Sequence, residues 1–334
     1  MRALSKLELV CPAGTPAALA AAVKAGADTV YCGYNNCTNA RNYPGLNFTQ
    51  KEMIESISYA HSCSVKVLIA INTFPKAGEE KPWHKAINDA FEAQADAVIL
   101  ADIGVLDYTA KTFPKLRRHL SVQASAANDF SIAFYKDNFD IKRVVLPRIL
   151  SIEEIKSLIN KTGLETEVFA FGSVGPMSEG RCFLSSYITG LSPTSEGVCA
   201  PASHVSYRPC NNGMTKSCLG DVTLNHFSND EPAPYPTPCK GRYKVNSKSL
   251  YLFEDPVGLN AIDILSQLRD AGVTALKIEG RQRSKAYVAQ AVASFRQAID
   301  ALEAVSHSSS KPKSLSRASE GGRETFGAYK SGWK

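Results

Sequence analysis

The feature of this sequence that most restricts its fold is a recurring unit, in which a helical pattern ends at a small-residue turn and a short β-branched run follows. Four copies are clear by eye, at residues 25–33, 93–102, 139–147 and 271–280. Each apolar run is continuous rather than alternating, which is typical of a strand buried on both faces of a parallel sheet. Similar runs at 7–11, 65–71, 119–123 and 167–171 complete a set of eight candidate strands.

Helical patterns lie between these runs, at residues 15–24, 49–62, 81–94, 104–113, 151–160 and 258–270. Eight alternating βα units predict an α/β fold of the TIM type, a closed (β/α)8 barrel. A doubly wound open sheet is the alternative, because periodicity does not distinguish a closed sheet from an open one. With 334 residues the chain is long enough to bury a normal core in either fold without disulfides.

The regular alternation is interrupted between the seventh and eighth candidate strands by a long irregular stretch that holds five of the nine cysteines. We divide the chain into barrel strands 1–7 (1–171), a cysteine-bearing insertion (172–240), the completion of the barrel (241–305), and a Ser/Lys/Gly-rich linker over 306–322 with an aromatic tail that reaches residue 334. The insertion follows the carboxyl end of a strand. It is therefore expected at the barrel face where active sites lie.

The net charge of +6 is concentrated at the C-terminal end. Residues 306–334 carry six Lys and Arg against two Glu, which leaves +2 for residues 1–305, so the charge balance argues against a nucleic-acid surface. Nine cysteines, an odd number without a short secreted framework, indicate a reducing, cytoplasmic location. We expect no secretory signal, and no integral membrane segment, because no apolar run approaches the roughly 20 residues that a bilayer requires.

The cysteines fall into two groups. Those within or beside strand and helix patterns are expected to be buried and structural: Cys11, Cys32 and Cys63. Those in irregular polar sequence have neighbours that favour the metal-binding thiolate: Cys182, Cys199 and Cys239. No C-x-x-C pair is present, which disfavours a zinc ribbon or a redox dithiol, whereas separated cysteines in one loop-rich segment suit an iron–sulfur cluster.

Polar residues at the predicted strand ends form a second group of candidates. Those expected to point into the barrel mouth are Asn72, Asp102, Gln123, Arg148, Glu279 and Arg281. Asn39 and Arg41 lie in the polar loop after the second strand. The six histidines show no spaced pair, and G-x-S-x-G, H-E-x-x-H and P-loop motifs are missing, so a hydrolytic dyad or a mononuclear metal site has little support.

Several stretches, in the same order, resemble the U-type collagenase-like peptidase family. The stretch 167–186 (EVFAFGSVGPMSEGRCFLSS) is similar to the family signature, and 9–14 (LVCPAG), 38–49 (TNARNYPGLNFT), 239–243 (CKGRY) and 277–284 (KIEGRQRS) narrow the match. The similarity runs from about residue 7 to the terminal GAYKSGW, which is nearly the whole chain. Within the family, the members that these stretches look like act in oxygen-independent ubiquinone biosynthesis.

This resemblance implies a heterodimer with a UbiV-like subunit, in which each chain holds a 4Fe-4S cluster on four cysteines. It implies hydroxylation of a ubiquinone precursor without dioxygen, with prephenate as the oxygen donor and a lipid-carrier accessory protein as a further partner. Peptidase activity is not expected, despite the family name. Related members hydroxylate a tRNA uridine or a ribosomal cytidine, so an RNA hydroxylation factor is one alternative, and a non-catalytic scaffold for the partner is another.

One position departs from the family pattern. The family has a cysteine seven residues before Cys182, and this chain has Gly175 there. Only Cys182, Cys199 and Cys239 can therefore be carried over as cluster ligands. The cluster keeps one open iron, recruits Cys210 or Cys218, or is lost or reduced to three irons.

Asn39, Arg41, Glu279 and Arg281 are the substrate-site candidates. An arginine can hold a carboxylate through two parallel hydrogen bonds, and a dicarboxylate such as prephenate would be held by two such residues. Our hypothesis is that Arg41 and Arg281 form this clamp. The alternative is that they are solvated loop charges.

Overall fold

The computed structural model describes residues 6–194, 198–211, 213–231, 233–303 and 314–330. Its centre is a closed barrel of eight parallel strands, each hydrogen-bonded to two neighbours within the barrel. The barrel strands are β1 (Glu8–Pro12), β2 (Thr29–Cys32), β3 (Lys66–Ile71), β4 (Ala97–Leu100), β5 (Arg118–Leu120), β6 (Arg143–Val145), β7 (Glu165–Ser173) and β14 (Ala275–Ile278). The predicted TIM-type fold is thus confirmed, and β14 closes the barrel between β7 and β1.

Helices surround the barrel and connect its strands. They are α1 (Pro16–Lys24), α2 (Gln50–Ser62), α3 (Lys81–Glu92), α4 (Ile103–Thr112), α5 (Asp129–Phe139), α6 (Ile152–Thr162), α8 (Leu265–Asp270) and α9 (Lys285–Glu303). Two of them begin with a capping box: the hydroxyls of Thr49 and Ser151 accept the N–H of the glutamate three residues later, whose carboxylate accepts the N–H of the cap. These local signals explain why the sequence predicts the helix starts well.

The barrel interior has an apolar half and a charged half. Inward-facing residues of β1 to β4 and β14 form an apolar cluster: Val10, Tyr31, Leu68, Ala70, Ala97, Ile99 and Ala275. On the other side lies a set that we call the interior ion network: Glu8, Arg143, Glu165, Glu167 and Lys277. Barrel interiors are usually filled by branched apolar side chains, so this charged half is a distinctive property of the chain.

The segment between β7 and β14 forms an irregular subdomain. It contains the helix α7 (Leu184–Thr189), an antiparallel sheet of β8 (Val205–Pro209), β9 (Thr215–Leu219) and β10 (Val222–Phe227), and a hairpin of β11 (Arg242–Val245) and β12 (Lys248–Tyr251). Ala200, Leu219 and Leu224 form its small core. The hairpin lies within 241–305, which we assigned to barrel completion, so the irregular part extends further along the chain than predicted.

The predicted helix over 258–270 is wrong in its first part. Residues Gly258–Asn260 form β13, which pairs antiparallel with the end of β7, and α8 begins only at Leu265. The strand forms because β7 extends beyond the barrel and offers free backbone groups there, and a non-local partner of this kind overrides a local helical pattern.

The C-terminal segment packs against the barrel mouth, which corrects the predicted linker over its described part. Residues 306–313 lie outside the described residues, but Leu315 is buried, and β15 (Glu324–Thr325) pairs in parallel with β13. Tyr329 is buried too, and its hydroxyl donates to the carbonyl oxygen of Phe169 at 2.5 Å. Of the aromatic tail, residues 325–330 are described, and they contact the same chain.

Within the described parts of the chain, every helix is too short or too polar to span a bilayer.

Candidate active site at the barrel mouth

Polar side chains from the carboxyl ends of several barrel strands surround a cavity of about 50 Å³, which we call the mouth cavity. Its charged and polar lining residues are Tyr31, Arg41, Asn72, Ser121, Gln123, Arg148, Glu179, Lys277, Glu279, Arg281 and Gln282. The sequence-predicted strand-end residues therefore come together here, with one exception. Asp102 instead caps α4, where its Oδ1 accepts the N–H of Val105 at 2.9 Å.

Glu279 is the central anion of the mouth cavity. One carboxylate oxygen lies 3.2 Å from Nη2 of Arg41, and the other lies 2.7 Å from Nη2 of Arg148 and accepts the N–H of Ser173 at 3.2 Å. Burial of Glu279 opposes ionisation, but the charges of Arg148 and Arg41 outweigh it and lower the pKa from 4.5 to about 2. Glu279 is therefore an anion at neutral pH, and it orients both guanidinium groups.

Arg148 is fixed from three sides. It pairs with Glu179 and with Glu279, and its guanidinium lies 3.4 Å from the ring centroid of Phe169. Glu179 belongs to the loop after β7, and Gly180 permits that loop to lie directly on the barrel. Gly180 has φ of +81°, and a Cβ there would approach the carbonyl oxygen of Gln123 to 2.0 Å.

Arg281 is a buried cation without a carboxylate partner in the described structure. Only 5% of the residue is exposed, and its Nη1 donates to Oδ1 of Asn39 at 2.7 Å. Burial lowers the pKa of Arg281 from 12.5 to about 10, so the side chain remains charged at neutral pH. A Cβ at position 14 would lie 1.8 Å from the carbonyl oxygen of Arg281, so Gly14 permits this close approach.

Asn39 supports Arg281 and does not line the mouth cavity. It is fully buried, its Nδ2 donates to the carbonyl oxygen of Tyr34 at 3.1 Å, and its Oδ1 also accepts the N–H of Arg41 at 3.0 Å. The predicted pair Arg41 and Arg281 both line the cavity, but Arg41 is neutralised by Glu279. The clamp itself stays a prediction.

Lys277 is a site residue that the sequence analysis did not single out. It lines the mouth cavity from inside the barrel, with Nζ 2.6 Å from Oε1 of Glu167 and 3.7 Å from the ring centroid of Tyr31. A single lysine in the otherwise apolar strand Ala275–Ile278 was the available signal. Four cations line the cavity: Arg41, Arg148, Lys277 and Arg281. The three carboxylates that pair with them are Glu279, Glu179 and Glu167, and each contacts a cation other than Arg281. Among the described residues, Arg281 therefore carries the unbalanced positive charge.

Three cysteines lie in the loops beside the mouth cavity. Cys182 precedes α7, and Cys239 lies in the short helix Pro238–Lys240. The third is Cys199, and all three are free thiols that are partly buried. The pKa of Cys199 is raised to about 11, chiefly by burial and also by the neighbouring thiols of Cys239 and Cys182, while Arg41 acts to lower it. These mutual effects place the three thiols in one region next to the Arg41–Glu279 pair.

The cysteine region does not form a closed metal site. Among the residues that the structure describes, no three Cys, His, Asp or Glu side chains are arranged to hold a metal ion. A Cβ at Gly175, the fourth family position, would contact no atom within 4 Å, so a side chain has room there. Cys218 lies on β9 with its Sγ 3.6 Å from Oγ1 of Thr223, and Cys210 follows β8.

Comparison with known proteins identifies relatives over almost the whole chain. The model of peptidase family U32 matches residues 14–329. An uncharacterized protease of Methanocaldococcus jannaschii is 32% identical over 301 residues, which cover 89% of this chain and 66% of that protein. The tRNA hydroxylation protein P of Escherichia coli is 31% identical over 322 residues, which cover 88% of this chain and 68% of that protein.

A third relative is named for a reaction on ribosomal RNA. The 23S rRNA 5-hydroxycytidine synthase of Escherichia coli is 28% identical over 324 residues, which cover 96% of this chain and 42% of that protein. The chain thus spans about two thirds of the first two relatives and less than half of the third.

Proposed function

Since this chain belongs to peptidase family U32, we propose that it is a UbiU-like subunit of an oxygen-independent hydroxylase. Its substrate is a ubiquinone precursor, prephenate is the oxygen donor, and a UbiV-like chain is the partner. The names of two relatives support hydroxylation as the type of reaction. The motifs 38–49 and 277–284, which supply Arg41, Glu279 and Arg281, support the assignment to the quinone branch.

The observation that carries this proposal is the unbalanced positive charge of Arg281 in the mouth cavity. A buried guanidinium without a carboxylate partner is unfavourable unless an anion completes the site. A small organic acid supplies such an anion, and the planar fork of Arg281 suits a carboxylate. Catalysis by a peptidase dyad has no support here, because no histidine lines the mouth cavity among the described residues.

The other residues of the mouth cavity have supporting roles in this proposal. Glu279 keeps Arg41 and Arg148 charged and fixed, so neither has to reorganise when the acid binds. Phe169 and Tyr31 give the cavity an aromatic lining that suits an apolar ring of the substrate. Asn39 orients Arg281 through its Oδ1.

Thiols are the usual ligands of an iron–sulfur cluster, and three of them lie in one loop region here. They supply three ligands, whereas a 4Fe-4S cluster takes four. We propose that Cys182, Cys199 and Cys239 hold the cluster, with the position of Gly175 left to solvent or another ligand. A bound cluster supplies electrons to the reaction. Burial raises the pKa of Cys199 and Cys239, so these residues would have to release their protons to hold a cluster as thiolates.

Iron analysis tests the cluster assignment directly. Iron and acid-labile sulfide are measured per chain on protein purified without oxygen, together with visible and EPR spectra. We expect about four of each, or about three with the spectrum of an oxidised three-iron cluster. Cys199→Ser should lower the iron content, whereas Cys63→Ser, at an exposed cysteine outside the insertion, should not. No iron after reconstitution would leave only the scaffold role.

Hydroxylation of RNA is the second candidate, and the names of the relatives favour it. The two candidates are separated in cells that lack the native gene and grow without oxygen. If the chain restores ubiquinone and leaves tRNA and rRNA nucleosides unchanged, the quinone substrate is supported. Restored 5-hydroxylated nucleosides without ubiquinone would overturn the quinone assignment but retain the reaction type.

A further inference from the structure

The opposite end of the barrel contains a larger cavity, of about 420 Å³, which we call the floor cavity. It lies at the amino-terminal ends of the strands, where β1 begins with Glu8, β3 with Lys66 and β7 with Glu165. Its lining residues are Lys6, Glu8, Lys66, Leu68, Asp96, Arg117, His119, Arg143, Glu165 and Thr274. The linings of the mouth cavity and the floor cavity have no residue in common, so the two cavities are distinct sites.

The carboxylates of the floor cavity all have partners. Glu165 lies 2.5 Å from Nη2 of Arg117 and 2.9 Å from Nη2 of Arg143. Glu8 lies 2.5 Å from the same Nη2 of Arg143 and accepts the hydroxyl of Thr29. Asp96 accepts the N–H of Val67 at 2.7 Å and lies 2.8 Å from Nε2 of His61. All three carboxylates of the lining are therefore paired with other groups of the protein.

Two cations of the floor cavity have no such partner. The side chains of Lys6 and Lys66 form no ion pair or hydrogen bond with the described residues, and both are exposed to solvent. The lining as a whole carries four Lys and Arg against three Asp and Glu. The cavity therefore has an excess positive charge, and the excess lies on these two flexible side chains at its rim.

A buried histidine also lines this cavity. His119 is 2% exposed, and its Nε2 accepts a hydrogen bond from Nε of Arg117 at 2.9 Å. Burial and the charges of Arg143 and Arg117 lower the pKa of His119 well below 6.5, so the ring is neutral. The proton of this tautomer lies on Nδ1, which is buried without a hydrogen-bond partner in the described structure. A buried donor of this kind is unfavourable until an acceptor reaches it.

From these features we propose that the floor cavity binds a small oxyanion, the carboxylate or phosphate group of a metabolite. Lys66 and Lys6 supply the charge, and Nδ1 of the lining residue His119 supplies a donor that has no partner in the described structure. The site is separate from the mouth cavity and does not depend on the proposed hydroxylase function.

Titration calorimetry with inorganic phosphate and with succinate tests this proposal and distinguishes the two ligand types. We expect one of these anions to bind the full chain, and Lys66→Gln to weaken that binding about tenfold, because the variant loses a charged donor to the anion. Lys115→Gln is the matched control: Lys115 is exposed on the loop that leads into β5 but does not line the cavity, so its loss should leave the affinity unchanged.

His119→Gln provides the second variant, because it keeps an acceptor near Arg117 but removes the Nδ1 donor. Its affinity should also fall, with the far-UV circular dichroism spectrum as the check on folding. Should His119→Gln fail to fold, the exposed Lys66 variant still decides the matter. The proposal is overturned if neither anion binds, or if the Lys66 and Lys115 variants bind equally well, since any binding then belongs to another part of the chain.

Discussion

Replacing Glu279 by Gln should destabilise the fold, because this carboxylate is the shared counter-ion of two buried guanidinium groups. Arg41 and Arg148 lie 3.2 and 2.7 Å from its two oxygens, and the N–H of Ser173 donates to it as well. Glutamine preserves the size of the side chain but removes its charge. Arg41 would then lose its carboxylate partner, and Arg148 would keep only Glu179.

The magnitude of the loss follows from the pKa of Glu279. Burial alone would raise this pKa, but Arg148 and Arg41 lower it from 4.5 to about 2. A fall of that size corresponds to about 3 kcal/mol in favour of the folded state at neutral pH, at 1.36 kcal/mol per pKa unit. Breaking a buried ion pair from one side typically costs about 3–5 kcal/mol, which agrees.

The pH dependence of the loss has a definite sign. The pKa in the folded chain is below that of the unfolded chain, so the contribution of Glu279 is complete above pH 4.5 and is lost as the pH falls toward 2. Urea unfolding followed by circular dichroism should therefore show a large difference between the native chain and Glu279→Gln at neutral pH. The difference should shrink as the pH falls below 4.5.

Glu55→Gln is the control, because the Lys51–Glu55 pair is exposed and 3.9 Å long. Exposed pairs of this kind contribute about 0.5 kcal/mol or less. The reasoning is refuted if Glu279→Gln costs no more than this control at neutral pH, or if its effect does not decline in acid.

Three further predictions follow from the site. Arg281→Lys should weaken the binding of a small dicarboxylate about tenfold by calorimetry, because lysine keeps the charge but not the planar fork. Gly175→Cys should increase the iron and sulfide retained after exposure to air, because a Cβ has room at that position. Tyr329→Phe should lower the free energy of unfolding by about 1–2 kcal/mol in urea, because the carbonyl oxygen of Phe169 loses a buried donor.

Each of these three variants has a matched control. Arg208→Lys alters an exposed arginine outside the mouth cavity, and equal loss of affinity there would contradict the role of Arg281. Gly175→Ser adds a similar volume without a thiol, and equal iron retention would show that sulfur is not responsible. Tyr187→Phe removes a hydroxyl from a side chain that is 89% exposed, and an equal loss of stability would argue against the buried hydrogen bond.

The sequence predicts the barrel because each of its strands has a local signal. Continuous apolar runs mark strands covered on both sides, and capping residues such as Thr49 and Ser151 mark helix starts. The errors occur where pairing is non-local. Gly258–Asn260 becomes a strand because the end of β7 is available. In the C-terminal segment, the described residues 314–330 are held by Leu315 and Tyr329, which pack in buried positions against residues far away in sequence.

The candidate site shows the same division between local and non-local information. The barrel rule that strand ends carry functional residues brings Asn72, Gln123, Arg148 and Glu279 to the mouth correctly. The rule fails for Asp102, because a carboxylate immediately before a helix can cap it instead. It also overlooks Lys277, which is one residue inside its strand rather than at the end.

The sequence does not reveal which of the charged side chains at the mouth cavity has an oppositely charged partner. Arg41 and Arg281 look equivalent as loop arginines. Arg41 is neutralised by Glu279, whereas Arg281 pairs with no carboxylate of the described residues and donates to the amide oxygen of Asn39. The difference arises from contacts between residues more than 200 positions apart. Since an unbalanced buried charge is what attracts a ligand, ligand binding depends on this pairing pattern rather than on the number of arginines. The same reasoning separates Lys66 from Arg143 at the floor cavity, where Arg143 pairs with Glu8 and Lys66 forms no ion pair with the described residues.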